Sequence, residues 1–224
     1  MSMHLRPDIL WCEANHRIAL LDLTTQRYFT LSPRGDAAFR RLISHAPPHD
    51  DDADALAGVI TNSLERADSL GSKLASIGHL PIAARSALTD GAQGHTSLYQ
   101  IALALIERLM TRRQIATTPF RDMIEALSNR RSGSDKSDGV LNSSAHENAI
   151  SAFLMTSRFV KIRDRCLDHS IAMVRFLARF GYYPRLVLGV KMSPWGAHAW
   201  VQDGDLVLND SVDRVRAYTP ILVV

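Results

Sequence analysis

The sequence predicts an α+β protein built as two small units in tandem. Three observations carry this: a strand-rich opening that runs into helices, a middle stretch rich in alanine, glycine and serine, and a closing segment ordered helix, strand, strand, strand. The 224 residues are 46% hydrophobic and 22% charged, which supplies a buried core and argues against a disordered chain.

Ile9 to Glu13 reads as a short strand ended by the turn Ala14-Asn15. Arg17 to Leu23 is a nearly continuous apolar run, the pattern of a strand covered on both faces. After a turn through Gln26, Arg27-Tyr28-Phe29-Thr30-Leu31 is a third strand, rich in β-formers. Ser32-Pro33 then marks a helix start, a capping serine with proline at the first helical position. That helix carries Ala37, Ala38, Leu42 and Ile43 on its apolar face and stops at Pro47-Pro48. Asp50, Asp51 and Asp52 open a second helix, where acids favour the positive end of the dipole, with Leu56, Val59, Ile60 and Leu64 as its apolar face.

Residues 81–95 read as a linker, so the two units run 1–82 and 95–224. Leu98 to Arg113 and Pro119 to Leu127 are expected to be amphipathic helices, residues 131–144 a surface loop, and Ala145 to Ile162 a further helix. Asp164-Arg165-Cys166 opens the next helix, with Asp164 as its N-cap, Leu167, Ile171, Val174 and Ala178 on its buried face, and Gly181 as its stop beyond Phe180. Strands follow at Arg185 to Met192, Ala197 to Gln202 and Leu206 to Asp210.

Composition excludes several function classes. A net charge of +3 is too small to demand an acidic partner, and Arg34, Arg40 and Arg41 on the first helix are offset by Asp36, so no nucleic acid is expected. Met1 to Pro7 lacks a signal-peptide pattern, and the apolar stretch Leu98 to Leu109 is broken by Gln100 and Glu107. The expectation is a cytoplasmic chain with no membrane insertion. The two cysteines, Cys12 and Cys166, make neither a disulfide framework nor a paired-cysteine zinc site, and no metal or cofactor is expected.

One constellation carries chemistry. Cys166 lies in the first turn of its helix, where unpaired N–H groups and the helix dipole favour a thiolate. The same N–H groups can polarise a carbonyl oxygen as it becomes an oxyanion. A thiolate needs a base, and His198 on the second closing strand is the candidate. The hairpin leaves two registers open. A two-residue Asp203-Gly204 loop sets His198 opposite Asn209; a three-residue loop or bulge sets it opposite Asp210 and stacks Trp200 on Leu208. The second is preferred because Asp210 supplies charge to an imidazolium, whereas Asn209 only orients it. Taken singly, each residue has a bland reading: a helix cysteine as a small buried hydrophobe, a histidine among alanines as packed or surface-lying, an aspartate as a strand end. Their joint order is what points to nucleophile, base and orienter. His169, one turn beyond Cys166, is a rival base read as a solvated helix residue, and Cys12 is read as structural.

Cys166-Leu167, the run Gly181-Tyr182-Tyr183-Pro184-Arg185-Leu186-Val187-Leu188-Gly189-Val190, Ala197-His198-Ala199-Trp200-Val201 and Leu208-Asn209-Asp210 together resemble the B proteins of lasso-peptide biosynthesis. These are transglutaminase-like cysteine peptidases of microcin J25-type maturation, and the resemblance covers about residues 95–224. It implies a papain/transglutaminase-like peptidase domain, a helix bundle packed on a small antiparallel sheet, with Cys166 as nucleophile, His198 as base then acid, and Asp210 as orienter. It implies hydrolysis of one peptide bond in a lasso precursor peptide, with threonine favoured at the penultimate leader position, freeing the core α-amine. A separate ATP-dependent, asparagine-synthetase-like macrolactam synthetase would then join that amine to a side-chain carboxylate. Asp168-His169-Ser170 departs from the basic or small residues commoner there. Residues 1–82 resemble the winged-helix-like leader-recognition domain often fused to such peptidases. An edge strand can bind an extended peptide as one more strand, which makes Arg27, Tyr28, Phe29, Thr30 and Leu31 the expected leader-binding stretch. Tyr28 and Phe29 also read as ordinary core. Two other activities remain: acyl transfer to an amine, as in a transglutaminase or amidase, and a peptide-binding protein whose triad is incidental.

Overall fold

The computed structural model describes residues 3–61, 80–89, 94–133, 144–157 and 165–224. The N-terminal part holds β1 (His4–Leu5), β2 (Ile9–Ala14), β3 (Arg17–Asp22), β4 (Arg27–Thr30), α1 (Pro33–Ile43), α2 (Asp52–Ala55) and β5 (Ile60–Thr61). β2, β3 and β4 form an antiparallel meander in that order, and β1 pairs with β5.

The apolar run at β3 does what continuous hydrophobicity predicts. Ile18 and Leu20 face one way, with Ile9, Trp11 and Phe29, onto Ala38 and Phe39 of α1. Ala19 and Leu21 face the other way, with Leu10, Cys12 and Ala14, into a core shared with the rest of the chain. The N-terminal sheet is therefore covered on both sides. Ser32 caps α1 by accepting from the Gly35 N–H, with Pro33 at the helix start, but the buried face is Gly35, Ala38 and Phe39 rather than Ala37 and Ile43. The expected second helix is cut short. It spans only Asp52–Ala55, and Gly58 at φ +83° takes the chain out of it, so that Ile60 sits on β5. Leu64 lies outside the described residues. Arg34, Arg40 and Arg41 are each ion-paired, to Asp51, to Asp36 and Glu13, and to Asp52.

Residues 80–89 are not a linker. Arg85–Ser86 forms β6, which joins the second sheet by pairing in parallel with β9 (Leu206–Val207). With β7 (Arg185–Met192), β8 (Trp195–Asp203) and β10 (Thr219–Val223) the order is β10-β7-β8-β9-β6. The remaining helices are α3 (Leu98–Thr117), α4 (Phe120–Gly133), α5 (Ser144–Thr156), α6 (Cys166–Ala178) and α7 (Val212–Arg216). Most of the loop expected over 131–144, and Arg158 to Ile162 of the expected long helix, lie outside the described residues.

α6 packs on β8 on one side and on α3 and α5 on the other, so it is buried nearly all round, from His169 to Val174 and again at Phe176 and Leu177. That exceeds the single stripe expected, because two layers cover it. α3 starts on a capping box between Ser97 and Gln100, but it turns Ala104, Glu107 and Thr111 inward and leaves Leu105, Ile106 and Leu109 exposed. Glu107 is 1% exposed and accepts from Arg175 at 2.7 Å and from Arg179 at 2.7 Å. Removing Glu107 takes the carboxylate from the largely buried Arg175, which among the described residues keeps only Gln114, while Arg179 is half exposed. Glu107→Ala is expected to cost about 3 kcal/mol, read as a lower urea midpoint at unchanged slope; an unmoved midpoint would count against the argument. No helix among the described residues is long and apolar enough to cross a membrane.

Candidate active site

α6 and β8 bring the cysteine and the histidine together. Cys166 is the first residue of α6, preceded by Arg165, whose side chain makes no capping bond; Asp164 lies outside the described residues. The thiol is half-buried and shares a hydrogen bond with the His198 side chain, and the backbone N–H groups of Leu167 and Ala199 also point at it. Burial pushes the thiol up, but the bond and charge of His198, aided by those N–H groups, outweigh it and bring the thiol below its ordinary value.

His198 is 5% exposed, and its Nε2 lies 2.6 Å from Asp210 Oδ2. Asp210 thus occupies one ring nitrogen and leaves Nδ1 for the thiol. Burial lowers the imidazole, yet the bond to Asp210 and the bond and charge of Cys166 raise it overall above its usual value. Burial likewise raises Asp210, but His198, the Ser211 N–H at 2.8 Å and Arg214 at 3.7 Å hold its carboxyl below the usual range. Aromatic rings wall the imidazole: Trp200 stacks at 6.1 Å and Tyr218 tilts at 5.1 Å between centroids. Gly189, opposite His198 on β7, permits this wall, since a Cβ there would sit 2.8 Å from the Trp200 ring and 3.0 Å from Tyr218.

Neither register expected for the hairpin occurs. Asp203 pairs with Leu206 and Gln202 with Val207, so the two-residue loop is Gly204-Asp205. β9 ends at Val207, and residues 208–210 bend away rather than continuing as a strand. Asp210 therefore reaches His198 from a bend and not from a ladder position. Trp200 packs with Val207 on one face, whereas Leu208 belongs to the core on the other, so those two do not stack. Asn209 clamps the bend in place. Its Oδ1 accepts from the Val201 N–H at 2.8 Å, and its Nδ2 donates to Ser170 Oγ at 2.8 Å. Ser170 in turn donates to the Ala199 carbonyl at 3.0 Å. Nothing in the sequence pattern announces this clamp beyond a polar residue, Ser170, one turn along the helix from Cys166.

His169 is not solvated. It is 4% exposed, its Nδ1 has no partner, and its ring lies 5.1 Å from Phe153. Burial, with the charge of Arg108, pushes it down to about 3, so it stays neutral near neutral pH and does not serve as a base there. Cys12 is buried, and desolvation pushes its thiol up to about 12.

The stretch Arg27 to Leu31 divides by face. Tyr28 packs on the core that Cys166 also borders, while Phe29 packs towards α1 and Leu31 is buried with it. Burial, then the charge of Cys166, raises the Tyr28 phenol above its usual range, so β4 passes near the thiol. Arg27 is exposed, and Thr30 is partly so. Among the described residues no strand pairs with the outer edge of β4, and no group of three or more His, Cys, Asp or Glu residues is placed to hold a metal ion.

A thiolate–imidazolium pair steadied by a carboxylate, with N–H donors at a helix start, can attack a carbonyl, hold the tetrahedral oxyanion and pass through a thioester. Residues 104–223, which include all three side chains, match the family model described as the transglutaminase-like superfamily. No curated protein and no solved structure matches the chain.

Proposed function

The chain belongs to the transglutaminase-like superfamily, and from that premise we propose that it is a cysteine endopeptidase in which Cys166 is the nucleophile, His198 the base and then the acid, and Asp210 the orienting carboxylate. The observation that carries this is the 2.6 Å contact between His198 Nε2 and Asp210 Oδ2, with the thiol hydrogen-bonded to the same imidazole. In the first step the sulfur attacks the peptide carbonyl and the imidazolium gives its proton to the leaving amine. In the second, His198 takes a proton from water, which opens the thioester and releases the acid.

The substrate we propose is a lasso precursor peptide, cut between leader and core, on the strength of the motif resemblance around Cys166, His198 and Asp210. Residues 1–82 would act as a winged-helix-like leader-recognition unit, with the leader added along β4 as a fourth strand. The open edge of β4 supports this, as does the proximity of Tyr28 to the thiol. The freed core amine would then pass to an ATP-dependent macrolactam synthetase.

The test is direct. The purified chain is mixed with a lasso precursor peptide that carries leader and core, and the products are weighed by mass spectrometry. Two fragments whose masses sum to the precursor plus one water are expected. A crosslinked product that has lost ammonia would replace hydrolysis by acyl transfer to an amine, and an intact, bound precursor would leave only a binding protein.

A further inference from the structure

We propose that residues 80–89 are a strap on which the orienting carboxylate depends, with Ser86 as the positioning residue for Asp210. This rests on reading Cys166, His198 and Asp210 as a thiol triad. The family match begins at residue 104, so the strap would make part of the site depend on chain outside the matched domain.

The bend at residues 208–210 keeps one ladder bond, from the Leu208 N–H to the Val201 carbonyl at 2.9 Å, and among the described residues no backbone–backbone bond holds Asn209 or Asp210 beyond it. Something else must fix Asp210. Ser86 is fully buried, and its Oγ donates to the Asp210 carbonyl at 2.7 Å while accepting from the Leu88 N–H at 3.2 Å. Its backbone sits in β6 opposite Val207. The strap that delivers it is tied down along its length. Gln202 Nε2 donates to the Pro81 carbonyl at 2.7 Å and Arg216 Nε to the Ala83 carbonyl at 2.8 Å. The Ala84 N–H donates to the Asp205 carbonyl at 2.8 Å, and the Ala87 N–H to that of Val207 at 2.9 Å. Ala83 is buried with Trp200, Val207 and Val215. From the opposite side Asn209 holds the same bend to β8 and α6. Asp210 is thus gripped by its backbone from both flanks, which adds to the Ser211 N–H and Arg214 that act directly on its carboxylate where it meets Nε2. A shift of about 1 Å in a catalytic group costs on the order of a hundredfold in rate.

The test needs no substrate. Alkylation of Cys166 by iodoacetamide is followed against pH by mass spectrometry in the full-length wild type, Ser86→Ala, Asp210→Ala and the double variant, with folding checked by circular dichroism. Alanine differs from serine only by the hydroxyl, so Ser86→Ala is expected to fold, and Ser86→Thr restores the donor. The wild-type thiol is expected to react below the pH at which a free cysteine does. Ser86→Ala should move that onset upward and slow alkylation at neutral pH about tenfold, Asp210→Ala should move it further, and the double variant should match Asp210→Ala. Ser86→Thr should return the profile towards wild type. A Ser86→Ala profile that superimposes on wild type, or losses that multiply in the double variant, would overturn the strap. A wild-type thiol that behaves as a free cysteine would instead remove the triad reading and this proposal with it.

Discussion

Replacing Cys166 by alanine is expected to lower the rate of the proposed precursor cleavage by about four to six orders of magnitude while leaving peptide binding within about twofold. No other group in the site can replace the sulfur. His198 has one nitrogen engaged by Asp210 and acts on protons, and Cys12 is buried with its thiol held at about 12. Nor does the substitution remove an anchor of the fold, because Cys166 is only half-buried and its helix is held by residues from His169 to Leu177. The loss should therefore fall in kcat with little change in affinity, as when an interaction made only in the transition state is removed. Cys12→Ala, at a buried position on β2, should keep its turnover. Stopped turnover with intact binding separates an enzyme from a peptide-binding protein; full activity in Cys166→Ala would refute the nucleophile.

The contrast between the two cysteines is legible in the sequence because it depends on local structure. A cysteine inside a β-pattern is core, and one opening a helix meets N–H groups. Strands β2 to β4, the Ser32-Pro33 cap, the Gly181 stop and the bounds of β7 follow from periodicity and turn chemistry within a few residues, and the structure has them where those signals put them. What fails depends on contacts distant in sequence. Residues 85–86 have the composition of a linker, and only the exposed edge of β9, about 120 residues later in the chain, makes them a strand. His169 reads as polar and surface-bound, yet α6 is wrapped by a sheet and two helices, so nearly every position on it is inside. Glu107 reads as a break in an apolar helix; the two arginines that make it tolerable inside lie on α6 and just past its end.

The hairpin teaches a narrower lesson. Register arithmetic assumes that the strand holding Asp210 is regular, and both candidate registers are wrong. Asp210 nevertheless meets His198, because the chain leaves the ladder after Leu208 and Asn209 is spent on holding the bend. The choice of Asp over Asn rests on charge, and charge does not depend on register.

Asp210→Ala is expected to lower kcat/KM by about three orders of magnitude and to narrow the pH range of activity from both sides. In the proposed mechanism the working state has Cys166 ionised and His198 protonated, so activity should rise as pH passes the lowered thiol value and fall as it passes the raised imidazole value. Burial alone pulls the imidazole down; the hydrogen bond to Asp210 is the foremost cause raising it. Without that carboxylate the alkaline limb must move to lower pH. The thiol is held down chiefly through His198, so a less readily protonated ring lets it drift up and the acid limb moves to higher pH. The two limbs belong to the coupled pair rather than to either residue, which is why one substitution shifts both. Asp210→Asn retains a hydrogen-bonding side chain but not the charge, and should lie between alanine and wild type. Asn209→Ala acts by releasing the bend, so it should lose less activity than Asp210→Ala and shift the limbs in the same directions. The measurement is kcat/KM against pH for all four proteins. A profile in Asp210→Ala that falls in height with neither limb moved would mean the carboxylate supports the fold without setting the charge of His198.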